Sequence, residues 1–180
     1  MVRFAEATLA PPTWMEAVLP APETEFRSVE ERMGAGRPAG PGKRAAGNRR
    51  AFGAAVFDLL TFRLIAPGVN RMPALNCSVF HAEMMAIAPA RRRIGDFDLG
   101  HVGPAGAELV ASTEPCAMCF GAVPWSGVRR LICGARDEDA RAIGFDEGPK
   151  LADWAEALEV RGIPVFRDVL RFEAAAVLRE

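Results

Sequence analysis

The sequence lacks an excess of charge of either sign. Its 22 lysines and arginines nearly balance 23 aspartates and glutamates, which leaves a formal net charge of −1. A protein that binds nucleic acid normally carries a basic surface that neutralises the phosphates. The near-neutral balance therefore weighs against nucleic acid as the main partner, and it leaves room only for a local basic patch.

Long apolar runs are also absent, and cysteines are few. No segment reaches the ~18 uninterrupted apolar residues that a membrane-spanning helix requires, so we expect no membrane partner. The N-terminus shows no apolar leader of the secretory kind. The chain has four cysteines, at positions 77, 116, 119 and 133. We therefore expect a cytoplasmic protein whose thiols are free to bind a metal.

The composition that remains is that of an ordinary globular chain, half hydrophobic and one quarter charged. A chain of 180 residues can bury roughly 70% of its unfolded surface in one domain. We predict an N-terminal arm at 1–50 and a domain at 51–180, with no internal repeat. The arm comprises an extended stretch at 1–23, a short helix at 24–33 that Thr24 caps, and a basic Gly- and Pro-rich loop at 34–50.

Within the domain, short apolar runs alternate with amphipathic segments. Strands are predicted at 53–57 and 63–66, which form a hairpin, and at 108–112, 130–134 and 164–166. Helices are predicted from 79, from 115 to 124, at 151–160 and at 169–179, with a helical turn at 138–143. Ser78 is the expected N-cap of the first of these helices, and Pro115 the first helical residue of the second. Pro89 should end or kink the first helix near Ile87.

Two short motifs carry the chemistry, His81-Ala82-Glu83 and Pro115-Cys116-Ala117-Met118-Cys119. Two cysteines three apart on a helix lie on one face, so both can bind one ion, and His81 would supply the third ligand. Three ligands with an open fourth position are typical of catalytic zinc. Glu83 lies about 200° round a helix from His81, which suits it to moving protons and not to binding the metal.

Each of these residues also has a structural interpretation. The two cysteines alone could form a redox pair or half of a closed structural site, and Cys77 could close the site as a fourth ligand. The upstream His-x-Glu favours catalytic zinc, because the combination of His-x-Glu with Pro-Cys-x-x-Cys is the signature of zinc deaminases. Cys133 fits better as a buried strand residue, and His101 as a loop histidine.

The order of elements predicts how the two motifs meet. Strand, helix, strand, helix and strand between residues 63 and 134 form two consecutive βαβ units. The N-termini of their helices gather at the carboxyl edge of the sheet, where their dipoles favour thiolates. Zinc bound there would make a water molecule acidic at neutral pH. Glu83 would accept its proton and return it to the departing ammonia.

From Phe52 to about Phe166 the chain resembles the cytidine deaminase-like superfamily, and within it the guanine deaminases. The matching residues are Asn70, 81–87, 114–123, Trp125 and 142–149. The metal motif by itself identifies only the superfamily. Trp125, six residues after the second cysteine, and the segment Gly-Phe-Asp-Glu-Gly-Pro at 144–149 point to guanine.

The resemblance implies an α/β fold of three layers, α/β/α, with a mixed five-stranded sheet flanked by helices. It also implies a homodimer with one Zn²⁺ per subunit that hydrolyses guanine to xanthine and could accept amino-triazines. By the same resemblance Asn70 bonds the purine, Phe52 and Trp125 line its faces, and Glu147 contacts or protonates it. Asn70 could instead hold a turn. Phe52 and Trp125 could be core residues, and Glu147 a solvated loop acid.

Two other functions compete with a guanine deaminase. A tRNA adenosine or cytosine deaminase shares the metal motif, but the near-neutral charge and the segment 144–149 weigh against it. A non-catalytic zinc-folded partner subunit could dispense with Glu83, so the presence of this glutamate favours an enzyme.

Overall fold

The computed structural model describes residues 9, 11–36 and 52–179. Its strands are β1 (Gly53–Asp58), β2 (Leu64–Val69), β3 (Ala107–Thr113), β4 (Arg130–Ala135) and β5 (Val165–Phe166). Its helices are α1 (Thr13–Glu16), α2 (Val29–Gly36), α3 (Met72–Leu75), α4 (Ala82–Ile94), α5 (Ala117–Ser126), α6 (Asp137–Arg141), α7 (Trp154–Glu159) and α8 (Arg171–Arg179), with a 3-10 helix at Leu99–His101. Most of the predicted loop at 34–50 and part of the stretch at 1–23 lie outside the described residues.

The five strands form one mixed sheet in the order β2-β1-β3-β4-β5. Strand β1 is antiparallel to both β2 and β3, whereas β4 and β5 continue parallel to β3. The predicted hairpin of β1 and β2 is therefore confirmed. Strand β1 lies between the two strands of the first predicted βαβ unit, β2-α4-β3, whereas the strands of the second unit, β3-α5-β4, are adjacent. Strands β2 and β3 nevertheless run in the same direction, so their carboxyl ends share one edge of the sheet.

Helices cover both faces of the sheet, as alternate side chains of the strands show. On one face Val56, Leu109 and Leu131 pack with α4 and α7. On the other face Phe57 and Val110 pack with α2, and α8 also lies on this face, where Ala174 approaches Gly134. The result is the expected fold class, an α/β/α arrangement around a mixed five-stranded sheet.

Helix α2 packs on the sheet although we assigned it to the arm, and a buried ion pair holds it there. The Arg32 side chain is 3% exposed and contacts Glu108 at the start of β3. Arg130 Nε donates to the same carboxylate at 2.7 Å. Loss of one partner from a buried pair typically costs about 3–5 kcal/mol, because it leaves an uncompensated charge. The division of the chain at residue 51 stays a prediction.

Several predicted boundaries are wrong. Helix α2 begins at Val29, because Ser28 and not Thr24 caps it: Ser28 Oγ accepts from Glu31 N at 3.0 Å, and Glu31 Oε2 accepts from Ser28 N at 2.9 Å. Helix α4 does not begin at Val79, and it does not end near Ile87 but continues past Pro89 to Ile94, so that only the alternative of a kink there stays a prediction. A proline removes one helical hydrogen bond, but Ala86 and Ala90 on either side are fully buried and hold the helix on the sheet.

The turn between β1 and β2 lacks glycine and depends on a side chain instead. Asp58 Oδ1 accepts hydrogen bonds from Leu60 N at 2.7 Å and Thr61 N at 2.9 Å. Phe62 then adopts a left-handed conformation with φ of 56°. An aspartate that bonds backbone groups two and three residues ahead replaces the usual turn residues.

No helix among the described residues has the length and apolarity to cross a bilayer.

Candidate active site

The histidine motif lies where helix α4 begins, directly above β2. His81 is the N-cap residue, in place of the predicted Ser78, with extended backbone angles (φ −68°, ψ 162°). Glu83 follows in the first turn, and the residue is 8% exposed. The helix lies unusually close to the sheet because residue 68 is glycine. A Cβ atom there would lie 2.2 Å from the Ala82 carbonyl oxygen and 2.4 Å from Ala86 N.

The cysteine motif lies where helix α5 begins, at the end of β3. Cys116 is the N-cap and Cys119 lies in the first turn, so Pro115 precedes the helix and is not its first residue as predicted. The turn is fastened to the neighbouring strand, because Glu114 N donates to the Ala135 carbonyl at 2.8 Å. The N-termini of α4 and α5 therefore meet at the shared carboxyl edge of β2 and β3.

This meeting brings His81, Cys116 and Cys119 together. Their candidate ligand atoms all lie within 4.8 Å of one another, and His81 Nδ1 is 3.5 Å from Cys116 Sγ. In a tetrahedral zinc site the ordinary bond lengths place nitrogen and sulfur ligands about 3.6 Å apart. Two sulfurs and an imidazole are also the donors that zinc favours. The three residues therefore fit a metal ion, and Cys77 does not belong to this cluster among the described residues.

The charges of the site suit a cation as well. The pKa of Cys116 is lowered to about 4, first by a hydrogen bond from the Cys119 thiol and then by His81. The same hydrogen bond and burial raise the pKa of Cys119. The contact with Cys116 raises the pKa of His81. Without a metal the two cysteines therefore share one negative charge, which would attract a divalent cation.

A cavity of about 390 Å³ lies beside the cluster, and His81 is the member of the cluster that lines it. Its walls consist of Phe52, Asn70, Met72, His81, Ala82, Glu83, Glu114, Gly144, Phe145, Asp146 and Glu147. Phe52 and Phe145 pack edge to face with ring centroids 4.9 Å apart. The wall thus combines an aromatic side, one amide and four carboxylates, and no lysine or arginine lines it among the described residues.

Three of the four predicted substrate residues lie on this wall, namely Phe52, Asn70 and Glu147. Asn70 also holds a turn, because its Oδ1 accepts from Met72 N at 2.9 Å. Trp125 is not brought to the cavity of its own chain. It lies near the C-terminal end of α5 and is 82% exposed. Its contact with a ligand stays a prediction.

Sequence reasoning missed two neighbours of these residues. Phe145 belongs to the segment 144–149 that was singled out, so its position beside Phe52 could have been inferred from the motif. No sequence motif pointed to Met72, because it reaches the cavity only through the short helix α3 after β2.

Two carboxyl groups of the cavity hold protons unusually well. Burial raises the pKa of Glu83. Burial and then the charge of Cys116 raise the pKa of Glu147 from 4.5 to about 7. A carboxyl group whose pKa lies near neutrality can both donate and accept a proton at physiological pH.

Glu147 should make the stability of the metal-free protein depend on pH. Because its pKa is higher in the folded state than in the unfolded chain, its favourable contribution is complete below about pH 4.5 and is lost as the pH rises through about 7. Glu147→Gln removes this titration. Urea unfolding should therefore show the variant gaining stability relative to the wild type between about pH 5 and about pH 8. A difference that stays constant across this range would contradict the assignment.

Comparison with known proteins identifies the family. The model of the cytidine and deoxycytidylate deaminase zinc-binding region matches residues 41–135, which is more than half of the chain. The chain belongs to this deaminase family. The solved guanine deaminase from Nitrosomonas europaea is 41% identical with a TM-score of 0.86, over 97% of this chain and 94% of that one.

Two curated relatives are more distant. The guanine deaminase of Bacillus subtilis is 32% identical over 107 residues, which are 59% of this chain and 65% of the relative. The tRNA-specific adenosine deaminase of Agrobacterium fabrum is 35% identical over 100 residues, which are 56% of this chain and 62% of the relative. This deaminase chain thus spans slightly less than two thirds of the length of these curated relatives.

Proposed function

We propose that this protein is a zinc-dependent aminohydrolase that converts guanine and water to xanthine and ammonia. The observation that carries the proposal is the cluster of His81, Cys116 and Cys119, whose histidine lines the same cavity as Glu83. The likeness to the guanine deaminase of Nitrosomonas europaea over nearly the whole chain supports guanine as the base.

We assign zinc to the cluster of His81, Cys116 and Cys119. A bound zinc ion would lower the pKa of a water molecule from about 15.7 towards ~7. Glu83 accepts the proton of the attacking water, and the same carboxyl group then protonates the amino nitrogen that leaves as ammonia. The raised pKa of Glu83 suits this exchange, because the carboxyl group must hold the proton between the two steps.

The cavity wall supports an uncharged base as the substrate. Phe52 and Phe145 offer an apolar surface, and the Asn70 side chain faces the same space. Glu147 has a pKa of about 7, so it can present a proton to a ring nitrogen of the purine. No lysine or arginine lines the described wall, so no such side chain there can pair with a phosphate group, which disfavours nucleotides and RNA.

Ammonia release tests the proposal against its alternatives. Purified, zinc-loaded protein is incubated with guanine, adenosine, cytosine, ammeline or a tRNA anticodon stem-loop. We expect the highest kcat/KM with guanine and weaker release from ammeline. Faster release from the stem-loop would instead support a tRNA deaminase, which the relatedness to the Agrobacterium fabrum protein keeps as the second candidate. Release from none of them would support a non-catalytic subunit.

We also infer a homodimer, as the resemblance to guanine deaminases implies. Helix α5 exposes Met118 and Trp125, seven residues apart on one face, with exposed fractions of 37% and 82%. An apolar stripe of this kind supports an interface with a second copy. Sedimentation equilibrium should give twice the chain mass for the wild type and the chain mass for Trp125→Asp. A monomeric wild type would contradict the inference.

We infer a cytoplasmic location from the state of the cysteines. None of the four forms a disulfide bond, and cysteines without disulfide bonds are typical of reducing compartments. Cell fractionation that finds the protein outside the cytoplasm would contradict this location.

A further inference from the structure

The chain has twenty arginines but only two lysines, Lys43 and Lys150. Lys150 directly follows the segment 144–149, which carries Glu147, and the Lys150 side chain is 5% exposed. A buried ammonium group needs partners for its charge and for its three donors. A guanidinium presents a planar fork, whereas an ammonium is a compact charge that fits between groups converging from several directions.

Two of the partners of Lys150, Pro115 and Glu114, belong to the turn between β3 and Cys116. Lys150 Nζ donates to the Pro115 carbonyl oxygen at 2.9 Å. The carboxylates of Glu114 and Asp137 lie 3.9 and 3.5 Å away, and the centroid of the Trp154 ring lies at 4.8 Å. Pro115 immediately precedes Cys116. The ammonium group therefore reaches from the Glu147 segment to the turn that places the first cysteine.

Two further hydrogen bonds fasten the same segment. Ala117 N, at the start of α5, donates to the Glu147 carbonyl oxygen at 2.9 Å. On the other side of the segment, Arg141 Nη2 donates to the Gly148 carbonyl oxygen at 3.0 Å. Gly148 has a φ of 70°, and a Cβ atom there would lie 3.1 Å from Ala117. The backbone of residues 147 and 148 therefore lies against the first turn of α5.

The charges explain why a cation is needed at this place. When Glu147 is ionised, it shares the cavity with the carboxyl groups of Glu83 and Glu114. Mutual repulsion would drive the segment outwards towards solvent, where carboxylates are better hydrated. Glu114 is itself paired, because Arg167 Nε donates to it at 2.7 Å. Lys150 supplies the additional positive charge on the side of Glu147.

We propose that Lys150 is a positioning residue that holds Glu147 at the cavity by fastening its segment to the turn before Cys116. The expected loss of activity rests on the proposed guanine deaminase function, whereas the structural role of Lys150 does not. Lys150 does not line the cavity, so it acts through Glu147 and not on the substrate.

The decisive variant is Lys150→Met, which removes the ammonium group but keeps an apolar stem against Trp154. We expect kcat/KM for guanine to fall about 10²-fold, the loss that misplacement of a substrate contact by about 1 Å can cause. Zinc affinity, measured by competition with a chromophoric chelator, should stay within about threefold of the wild type, because the three ligands are intact. In a double-mutant cycle, Lys150→Met should add little to the loss caused by Glu147→Gln.

The matched control is Arg130→Met. This variant also removes a cation from a buried carboxylate, Glu108, at the opposite end of the parallel strands. Both variants should lose stability, but only Lys150→Met should lower kcat/KM. An equal kinetic loss in both variants, or losses that add fully in the cycle with Glu147, would overturn the proposal.

Hydrogen exchange supplies a readout that needs no activity. The Ala117 amide and the peptide covering 142–150 should exchange faster in Lys150→Met than in Arg130→Met, because the segment loosens from α5. If the wild type releases no ammonia from guanine, the proposed function fails and exchange alone decides the positioning role. Exchange at Ala117 that is unchanged from the wild type would refute that role.

Discussion

Glu83→Gln should lower the rate of ammonia release from guanine by about 10³-fold, within the range expected when a general acid–base group is removed. Glutamine has nearly the same size and keeps hydrogen-bonding atoms at the same place, but it cannot accept a proton from water or deliver one to the leaving nitrogen. Because burial disfavours the charged form of Glu83, the neutral amide should not lower the melting temperature.

The zinc content of the Glu83→Gln variant shows whether Glu83 carries protons or binds the metal. Glu83 does not belong to the cluster of His81, Cys116 and Cys119, so the purified variant should keep one zinc ion per chain by atomic absorption. Glu159→Gln, an exposed substitution of the same kind at the end of α7, should leave the rate unchanged. A Glu83→Gln enzyme of nearly wild-type rate would contradict the assignment, and loss of zinc would point to a role in metal binding.

Gly68→Ala should move His81 and Glu83, at the start of α4, away from the cysteines at the start of α5. The added Cβ atom would lie 2.2 to 2.8 Å from backbone atoms of Ala82, Met85 and Ala86. Backbone atoms of a helix cannot swing aside as the tip of a side chain can, so the whole of α4 must move away from β2. Overpacking of this kind typically costs about 1–3 kcal/mol.

The larger effect of Gly68→Ala should fall on catalysis, because α4 begins at His81 and carries Glu83. A shift of about 1 Å can lower the rate about 10²-fold, and zinc affinity should fall as the histidine moves from the cysteines. Chelator competition and ammonia release measure both effects. The control is Gly34→Ala in α2, where no atom lies within 4 Å of the added Cβ and alanine favours the helix. A Gly68→Ala variant with wild-type kinetics would show that α4 tolerates the displacement.

The grouping of the site residues was largely predictable from short motifs. The closeness of Cys116 and Cys119 follows from their spacing on a helix. His81 and Glu83 lie at the start of the preceding helix, and the order of strands and helices predicted that the two helix starts meet. Prediction failed where contacts decide a boundary. Ser28 displaced Thr24 as a cap because Glu31 completes a reciprocal hydrogen-bonded pair, and α4 continued through Pro89 because its neighbours Ala86 and Ala90 are buried on the sheet.

The sequence by itself predicted a set of metal-binding residues and a carboxyl group to move protons, and it determined that strands alternate with helices around them. These properties depend on residue type and on neighbours within a few positions, which are visible in the order of letters. Only the tertiary structure decided that β1 separates β2 from β3, that Gly68 lets α4 approach the sheet, that Lys150 reaches Pro115, and that Trp125 lies away from its own cavity. Each of these depends on the packing of segments distant in the chain, and no local pattern of residues specifies those distances.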